Sequence, residues 1–334
     1  MSVDLVPVDP HDAAAFAPWF AVLDACLEHD RPGEPHWGEE EQRVLAVGVV
    51  EGDMGRTGTL LAAVEGGRVV GAARAERFTL DNPLLCRVVV CVHPGARRRG
   101  TGTALLEACR AWAREHGRTV LSGEVDEVGP DAPGRRFAER AGAELGLRET
   151  RRRLDLPPDP ARVAALRAEA RERAAGYALV TWRDAVPAHL LEDRAAMEAR
   201  MSTDAPTGDL PWELEQWDGA RFREHEALQA RMGRTVLSAG AVRDGRLVAF
   251  TDLGLPRGDP RLAYQWGTLV EPAHRGHRLG ALVKTAALEG LVAAAPECRA
   301  VVTWNAETNA PMVRVNEALG FVVDGMLSSW SLTA

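Results

Sequence analysis

The sequence predicts an α+β chain built as two tandem domains, each a mixed β-sheet flanked by helices. One observation is a repeat: a constant offset of 178 residues relates Val64 to Val242, Gly67-Arg68 to Gly245-Arg246, Arg97 to Arg275, Gly102 to Gly280 and Gly142 to Gly320. A single offset shared by several elements marks duplication of whole domains, not a short solenoid unit. A second is the order inside each half, where a strand hairpin and a third apolar strand run into a glycine-bearing loop and a helix. A third is size, since 334 residues at 46% hydrophobic content allow two ordinary cores. The expected boundaries are residues 1–156 for the first domain, 157–176 for a helical linker and 177–334 for the second domain.

Thr59 to Val64, the turn Glu65 to Arg68, and Val69 to Arg74 read as strand, turn and strand. Arg87 to Val92 is a third strand. Thr101 to His116 places Leu105, Leu106, Cys109, Trp112 and Ala113 at helical spacing, and Gly117 stops the helix. A strand opens at Val120, a helix covers Arg135 to Ala141, and Glu149 to Leu156 closes the domain, with Arg151-Arg152-Arg153 read as a solvated strand edge. Pro157, Pro158 and Pro160 break the pattern before a helix over Ala161 to Ala175, which has high helix propensity and few large apolar residues. Strand Tyr177 to Trp182, helix Pro187 to Met201, a loop from Asp204 to Trp212 and helix Arg221 to Met232 follow. The second hairpin spans Ala239 to Leu253, the central strand Leu262 to Val270, and the next helix Arg278 to Ala294. Strand Ala300 to Trp304, helix Met312 to Leu319 and a terminal strand through Trp330 complete the half.

Composition excludes several classes. A net charge of −8 and a pI near 5.7 argue against nucleic acid and anionic membrane as partners. The acidic surface suits either a cationic substrate or plain solubility. No stretch approaches the ~20 apolar residues of a membrane span, and no signal-peptide pattern stands near Met1. Five cysteines without metal-ligand spacing read as buried thiols in a reducing, cytoplasmic setting, and no metal site is expected.

The chemistry concentrates in the loops after the third strands. A strand feeding a glycine loop that opens a helix brings unpaired N–H groups and the positive end of the helix dipole to one point, which suits phosphate. Arg97-Arg98-Arg99-Gly100-Thr101-Gly102-Thr103 has the form Q/R-x-x-G-x-G/A. Arg275-Gly276-His277-Arg278-Leu279-Gly280-Ala281 repeats it with Arg278 at the first glycine position. His274 and His277 lack partners at metal spacing and read as exposed residues near phosphate.

At these residues the chain resembles the GCN5-related N-acetyltransferase (GNAT) superfamily over both halves. The resemblance implies a splayed sheet in each domain and acetyl-coenzyme A (acetyl-CoA) as donor, its pyrophosphate held by the two loops. It implies that Val90-Cys91-Val92 and Thr268-Leu269-Val270 offer backbone groups to the acyl and pantetheine parts. The family's late helix, N-x-x-A-x-x-x-Y-x-x-x-G-F, is matched by Asn309 to Phe321, which adds Asn309, Met312 and Asn316 to the cofactor side, with Asn316 where a tyrosine would stand. The first half departs there, with Asp131, Ala138 and Gly142-Ala143 at the corresponding places. The acceptor site is therefore expected in the second half, and the division resembles the tandem mycothiol-synthase branch of the superfamily.

The implied activity is N-acetylation of a small-molecule amine by a monomer or homodimer, and the alternative is a catalytically silent acyl-CoA binding or sensor protein. Six residues before Val270, where some members carry a general-base glutamate, stands Tyr264. An unperturbed tyrosine, with a pKa of about 10, is a poor base and a serviceable proton donor, and the plainer reading is a core residue with its hydroxyl satisfied. Asp252 and Glu271 are base candidates, against plainer readings as a strand end and a solvated side chain, and loop residues Glu213 and Glu215 are further ones. Trp212, Glu213 and Trp217 are candidates for the substrate pocket, the tryptophans equally for caps on the core.

Overall fold

The computed structural model describes residues 3–129, 132–204, 208 and 210–334. Asp131 and part of the loop between Asp204 and Trp212 lie outside them. The chain divides into two compact units: Met1–Arg148 with Thr207–Glu213 and Met326–Ala334, and Glu149–Pro206 with Leu214–Gly325.

Chain order begins β1 (Asp4–Pro7), α1 (Ala13–Asp30), α2 (Glu39–Glu51), β2 (Arg56–Glu65), β3 (Arg68–Phe78), β4 (Leu85–Val92), α3 (Thr101–Glu115), β5 (Val120–Glu127), α4 (Pro133–Arg140) and β6 (Glu144–Asp155). It continues α5 (Pro160–Arg173), β7 (Ala178–Arg183), α6 (Leu191–Asp204), α7 (Gly219–Arg231), β8 (Arg234–Arg243), β9 (Arg246–Pro256), β10 (Leu262–Val270), α8 (Leu279–Ala294), β11 (Ala300–Ala306), α9 (Ala310–Leu319) and β12 (Val322–Thr333). The repeat survives in the coordinates. β2 and β8, β3 and β9, β6 and β12, and the starts of α3 and α8 are each related by the 178-residue offset.

In the first unit the sheet runs β1-β2-β3-β4-β5, and Met326–Thr333 of β12 pair antiparallel with β5. The β2–β3 turn uses Gly66 and Gly67 at φ 56° and 77°, two successive left-handed residues that a tight hairpin of matching twist requires. On one face α1 buries Phe16, Trp19, Val22, Leu23 and Cys26, at helical spacing, against Leu60, Ala62 and Ala72. On the other, α3 buries Leu105, Leu106, Cys109 and Ala113 against Ala73, Ala75, Cys86 and Leu121. The sequence reading assigned no element before Thr59. α1 starts where the Asp12 side chain accepts from the amides of Ala14 and Ala15, a cap that leaves little signal in an alanine-rich stretch.

In the second unit the order is β7-β8-β9-β10-β11, with Glu149–Asp155 of β6 antiparallel to β11. α8 and α5 pack together on one face, α5 contributing Val163, Leu166 and Ala170, while Met197 of α6 and Phe222 of α7 close the other face over Leu247, Phe250 and Leu269. The expectation that Arg151-Arg152-Arg153 form a solvated edge fails here. Arg151 and Arg152 are buried, Arg151 pairs with Asp324 and its guanidinium lies 5.8 Å from the Trp304 ring centroid, because this strand has β11 beside it.

Candidate active site

The site in the second unit begins where two parallel strands part. β10 and β11 pair only from Leu262 to Tyr264, opposite Ala300 to Val302, and then diverge. Tyr264 is the last paired residue before the fork, its ring parallel to Trp304 at 6.3 Å between centroids. Just beyond, the register with β9 slips between Gln265 and Thr268, leaving Trp266 and Gly267 opposite the single residue Asp252. A bulge of this kind bends the strand and takes backbone groups out of the ladder. Gln265 braces it, its amide donating to Thr251 Oγ1 (2.9 Å) and Asp252 O (2.7 Å), and Thr303 Oγ1 donates to Gln265 O across the fork. Thr268, whose hydroxyl meets that of Thr251 at 2.7 Å, continues the strand through Leu269 and Val270 to the loop.

The loop that follows is a copy of its counterpart in the first unit down to single bonds. Arg97 Nε donates to Val92 O at 3.1 Å, and Arg275 Nε to Val270 O at 3.2 Å. Each arginine thus ties its loop back to the end of the central strand. Helices α3 and α8 both open without a side-chain cap, from residues in the left-handed region: Gly100 at φ 88° and Arg278 at φ 57°. Arg278, which stands at the first glycine position of the second loop, keeps the left-handed turn that Gly100 makes in the first, at a steric cost. The amides of Thr101, Gly102 and Thr103, and of Leu279, Gly280 and Ala281, are the ones a helix leaves unpaired. A Cβ on Gly280 would meet only Val270 Cγ2, at 4.0 Å, so the approach to its backbone is open. On these grounds both loops fit a diphosphate-bearing ligand.

Charge around the loops is arranged unequally. Arg97 faces Asp30 at 3.5 Å, Arg98 holds φ 68° where Gly276 holds 88°, and Arg99 reaches Glu65 at 3.4 Å. Arg275 pairs with Asp204 at 3.2 Å and Arg278 with Glu169 at 2.6 Å, while His277 is exposed and His274 Nδ1 meets the Tyr177 hydroxyl at 3.0 Å. Val90, Cys91 and Val92 line the corresponding strand end in the first unit. There β4 keeps continuous register with β3, and Cys86 occupies the place of Tyr264.

Asp252 is fully engaged. One carboxylate oxygen accepts from Ser238 (2.6 Å) and the other from Arg194 (2.7 Å), which is buried, packed over Phe250 and also paired with Glu198. Glu271 is half-buried at the start of the loop with Arg200 at 4.0 Å. Trp212 packs edge-on against Phe78, and the Glu213 amide donates to Asn82 Oδ1, both within the first unit. Trp217 belongs to the second, donating to Glu215 with Arg221 over its ring.

Asn309 stands at the N-cap position of α9 without a side-chain capping bond, and Met312 follows in the first turn. Asn316 is entirely buried in a chain that sequence reasoning missed: Lys284 Nζ donates to Asn316 Oδ1 at 2.8 Å, and Asn316 Nδ2 donates to Asn305 Oδ1 at 2.5 Å. Burial lowers the Lys284 pKa to about 7. The available signal was a lysine in an otherwise apolar stretch of α8, at the position Leu106 holds in α3. A separate cavity of about 720 Å³, lined by residues including Arg167, Trp182, Ser238 and Glu289, contains none of the predicted site residues.

Comparison with known proteins agrees with this geometry in both units. Residues 56–142 match a family model described as an acetyltransferase (GNAT) domain, and residues 194–321 one described as the acetyltransferase (GNAT) family. A mycothiol acetyltransferase of Sanguibacter keddieii is 32% identical over 261 residues, spanning 76% of this chain and 75% of that protein. A solved tandem GNAT protein from the clavulanic acid biosynthesis pathway superposes with a TM-score of 0.79 at 30% identity, covering 99% of this chain and 98% of that one. A GCN5-related N-acetyltransferase from Sphaerobacter thermophilus shares the fold, with a TM-score of 0.63 at 19% identity over 99% and 95% of the two chains. The paired loops, the fork between β10 and β11 and these likenesses place the chain in the GCN5-related N-acetyltransferase superfamily, as a tandem two-domain N-acetyltransferase.

Proposed function

We propose that the chain transfers the acetyl group of acetyl-CoA to a small-molecule amine, with the chemistry in the second unit and the first unit serving as a further cofactor-binding copy. The observation that carries this reading is the bulge at Trp266-Gly267 next to Tyr264 at the β10–β11 fork, set against the unbroken β4 and Cys86 in the first unit. The likeness to a mycothiol acetyltransferase supports a small-molecule acceptor, without fixing which amine.

Bound acetyl-CoA supplies the thioester that the amine attacks and the thiolate that departs. The amides opening α8, with Arg275 and Arg278, hold the pyrophosphate, and Thr268 to Val270 offer backbone groups along the strand. Backbone freed by the bulge suits a developing oxyanion, since preorganised N–H groups are most effective where charge appears in the transition state. Tyr264 donates its phenolic proton toward the departing sulfur, a role the Asn316 amide cannot take. Of the acidic candidates in the second unit, Glu271 is partly exposed and paired only loosely, so it is the better base for the incoming ammonium, directly or through water. Asp252 has no free oxygen and acts as a brace for the bulge.

Release of free coenzyme A from acetyl-CoA, followed with a thiol reagent across a panel of amino sugars, amino acids and polyamines, tests the proposal. Amine-dependent release that disappears when the second loop is blocked by Gly280→Val supports it. Saturable acetyl-CoA binding without release on any amine overturns it.

A further inference from the structure

One face of the second sheet carries two separate apolar clusters. α6 and α7 pack over Leu247, Phe250 and Leu269, whereas Tyr264 and Trp304 belong to a small group with Leu262, Ala300 and Val302 at the β10–β11 fork. The Tyr264 and Trp304 rings are parallel to within 6°, with centroids 6.3 Å apart. Trp266, two residues beyond Tyr264 on β10, extends the same face over β9, because its indole lies on Gly254, where a Cβ would fall inside the ring. Any side chain at position 254 would lift that indole off the strand. Three half-buried aromatic rings thus form a floor across β9, β10 and β11.

The surroundings of the floor limit what can lie on it. A guanidinium stands against each indole, Arg151 at 5.8 Å from the Trp304 centroid and Arg234 at 5.5 Å from that of Trp266. These cations already draw on the indole π density and repel further positive charge, so a polyamine gains little here, while an apolar ring gains from stacking. Trp304 Nε1 is a buried donor without a hydrogen-bond partner among the described residues, and such a group is costly until it meets an acceptor. The corresponding face of the first sheet is charged instead. Glu76 stands there at the place of Gly254, with Arg74 at 3.5 Å and Arg87 opposite it in register.

We propose that Tyr264, Trp266 and Trp304 form the acceptor subsite and select a ring-bearing monoamine, whose ring lies on the floor and whose hydroxyl or ether oxygen accepts from Trp304 Nε1. The inference rests on acetyl transfer in the second unit, and it adds Trp266 and Trp304 as specificity-determining residues. Tyr264 belongs both to the floor and to the fork, so a ring held on the floor brings its amine beside the proposed proton donor.

The test compares tyramine, 2-phenylethylamine and putrescine on the full chain, by calorimetric titration with coenzyme A present and by coenzyme A release from acetyl-CoA. Tyramine should bind and react best, 2-phenylethylamine less well for want of the hydroxyl, and putrescine least. Trp304→Leu and Trp266→Leu should each raise Kd and KM for tyramine about ten-fold, as expected for loss of one stacked aromatic surface, with the KM for acetyl-CoA unchanged. Trp304→Phe keeps a ring without the N–H and should abolish the preference for tyramine over 2-phenylethylamine. Undetectable tyramine binding, equal binding of tyramine and putrescine, or a tyramine Kd that stays the same in the folded tryptophan variants would each overturn the proposal. Tyramine binding that weakens in the variants, with no coenzyme A release on any amine, would uphold the floor and overturn acetyl transfer instead.

Discussion

Lys284 Nζ donates a 2.8 Å hydrogen bond to Asn316 Oδ1, and both side chains are buried between α8 and α9. The lysine titrates at about 7 in the folded chain, against an ordinary value of 10.5. Between those limits the unfolded chain binds the extra proton, so this group makes stability rise with pH from about 7 toward 10. Below about 7 its penalty is fully present. Lys284→Met should flatten that part of the curve while leaving Asn316 Oδ1 without its donor. Urea unfolding of both proteins across this range checks it, and identical slopes would show that Lys284 is not neutral when folded.

Arg278 holds at φ 57° the turn that Gly100 makes at φ 88°. A left-handed conformation costs a non-glycine residue roughly 1 kcal/mol, and the partly exposed ion pair with Glu169 returns less than that. Arg278→Gly should therefore raise Tm by a few degrees, measured by calorimetry without ligand. A fall in Tm would assign the arginine a larger structural role.

Asp252 supplies two hydrogen bonds to buried partners, Arg194 and Ser238. Asp252→Ala should cost about 3 kcal/mol, because Arg194 keeps only Glu198 as its charge partner while remaining over Phe250. Chemical denaturation reads the loss. A stable variant that has lost turnover would instead point to a catalytic carboxylate.

Tyr264 is separated from a core role by its hydroxyl alone. If that group protonates the thiolate, Tyr264→Phe lowers kcat by on the order of 10²- to 10⁴-fold with cofactor affinity unchanged. A purely structural tyrosine would lose about 1 kcal/mol of stability and keep its turnover.

Gly280 has free space at its missing Cβ, whereas Gly102 has Phe137 Cε2 at 3.3 Å. Gly280→Val should fold normally and lose the acetyl-CoA sites of the second loop, while Gly102→Val should lose those of the first at some cost in stability. Calorimetric titration of the full chain gives the number of sites in each, and unchanged titrations would remove the loops from cofactor binding.

Much of this protein is determined locally and so can be read from its sequence. The 178-residue offset, the glycine turns, the apolar spacing of α3 and α8 and the loop residues Arg97 to Thr103 follow from backbone sterics and side-chain periodicity within short windows. Tertiary structure decided what depends on partners distant in the chain. Glu149–Asp155 of β6 take their place beside β11, and Met326–Thr333 of β12 beside β5, although strand pattern alone is silent on which neighbour will offer hydrogen bonds. The bulge at Trp266-Gly267 exists only as a register against β9, and Tyr264 stands at the fork only because β11 diverges there. The Lys284–Asn316–Asn305 chain joins three elements whose residues are individually unremarkable in sequence, and only packing in the core, where an unpaired polar group is costly, makes them partners.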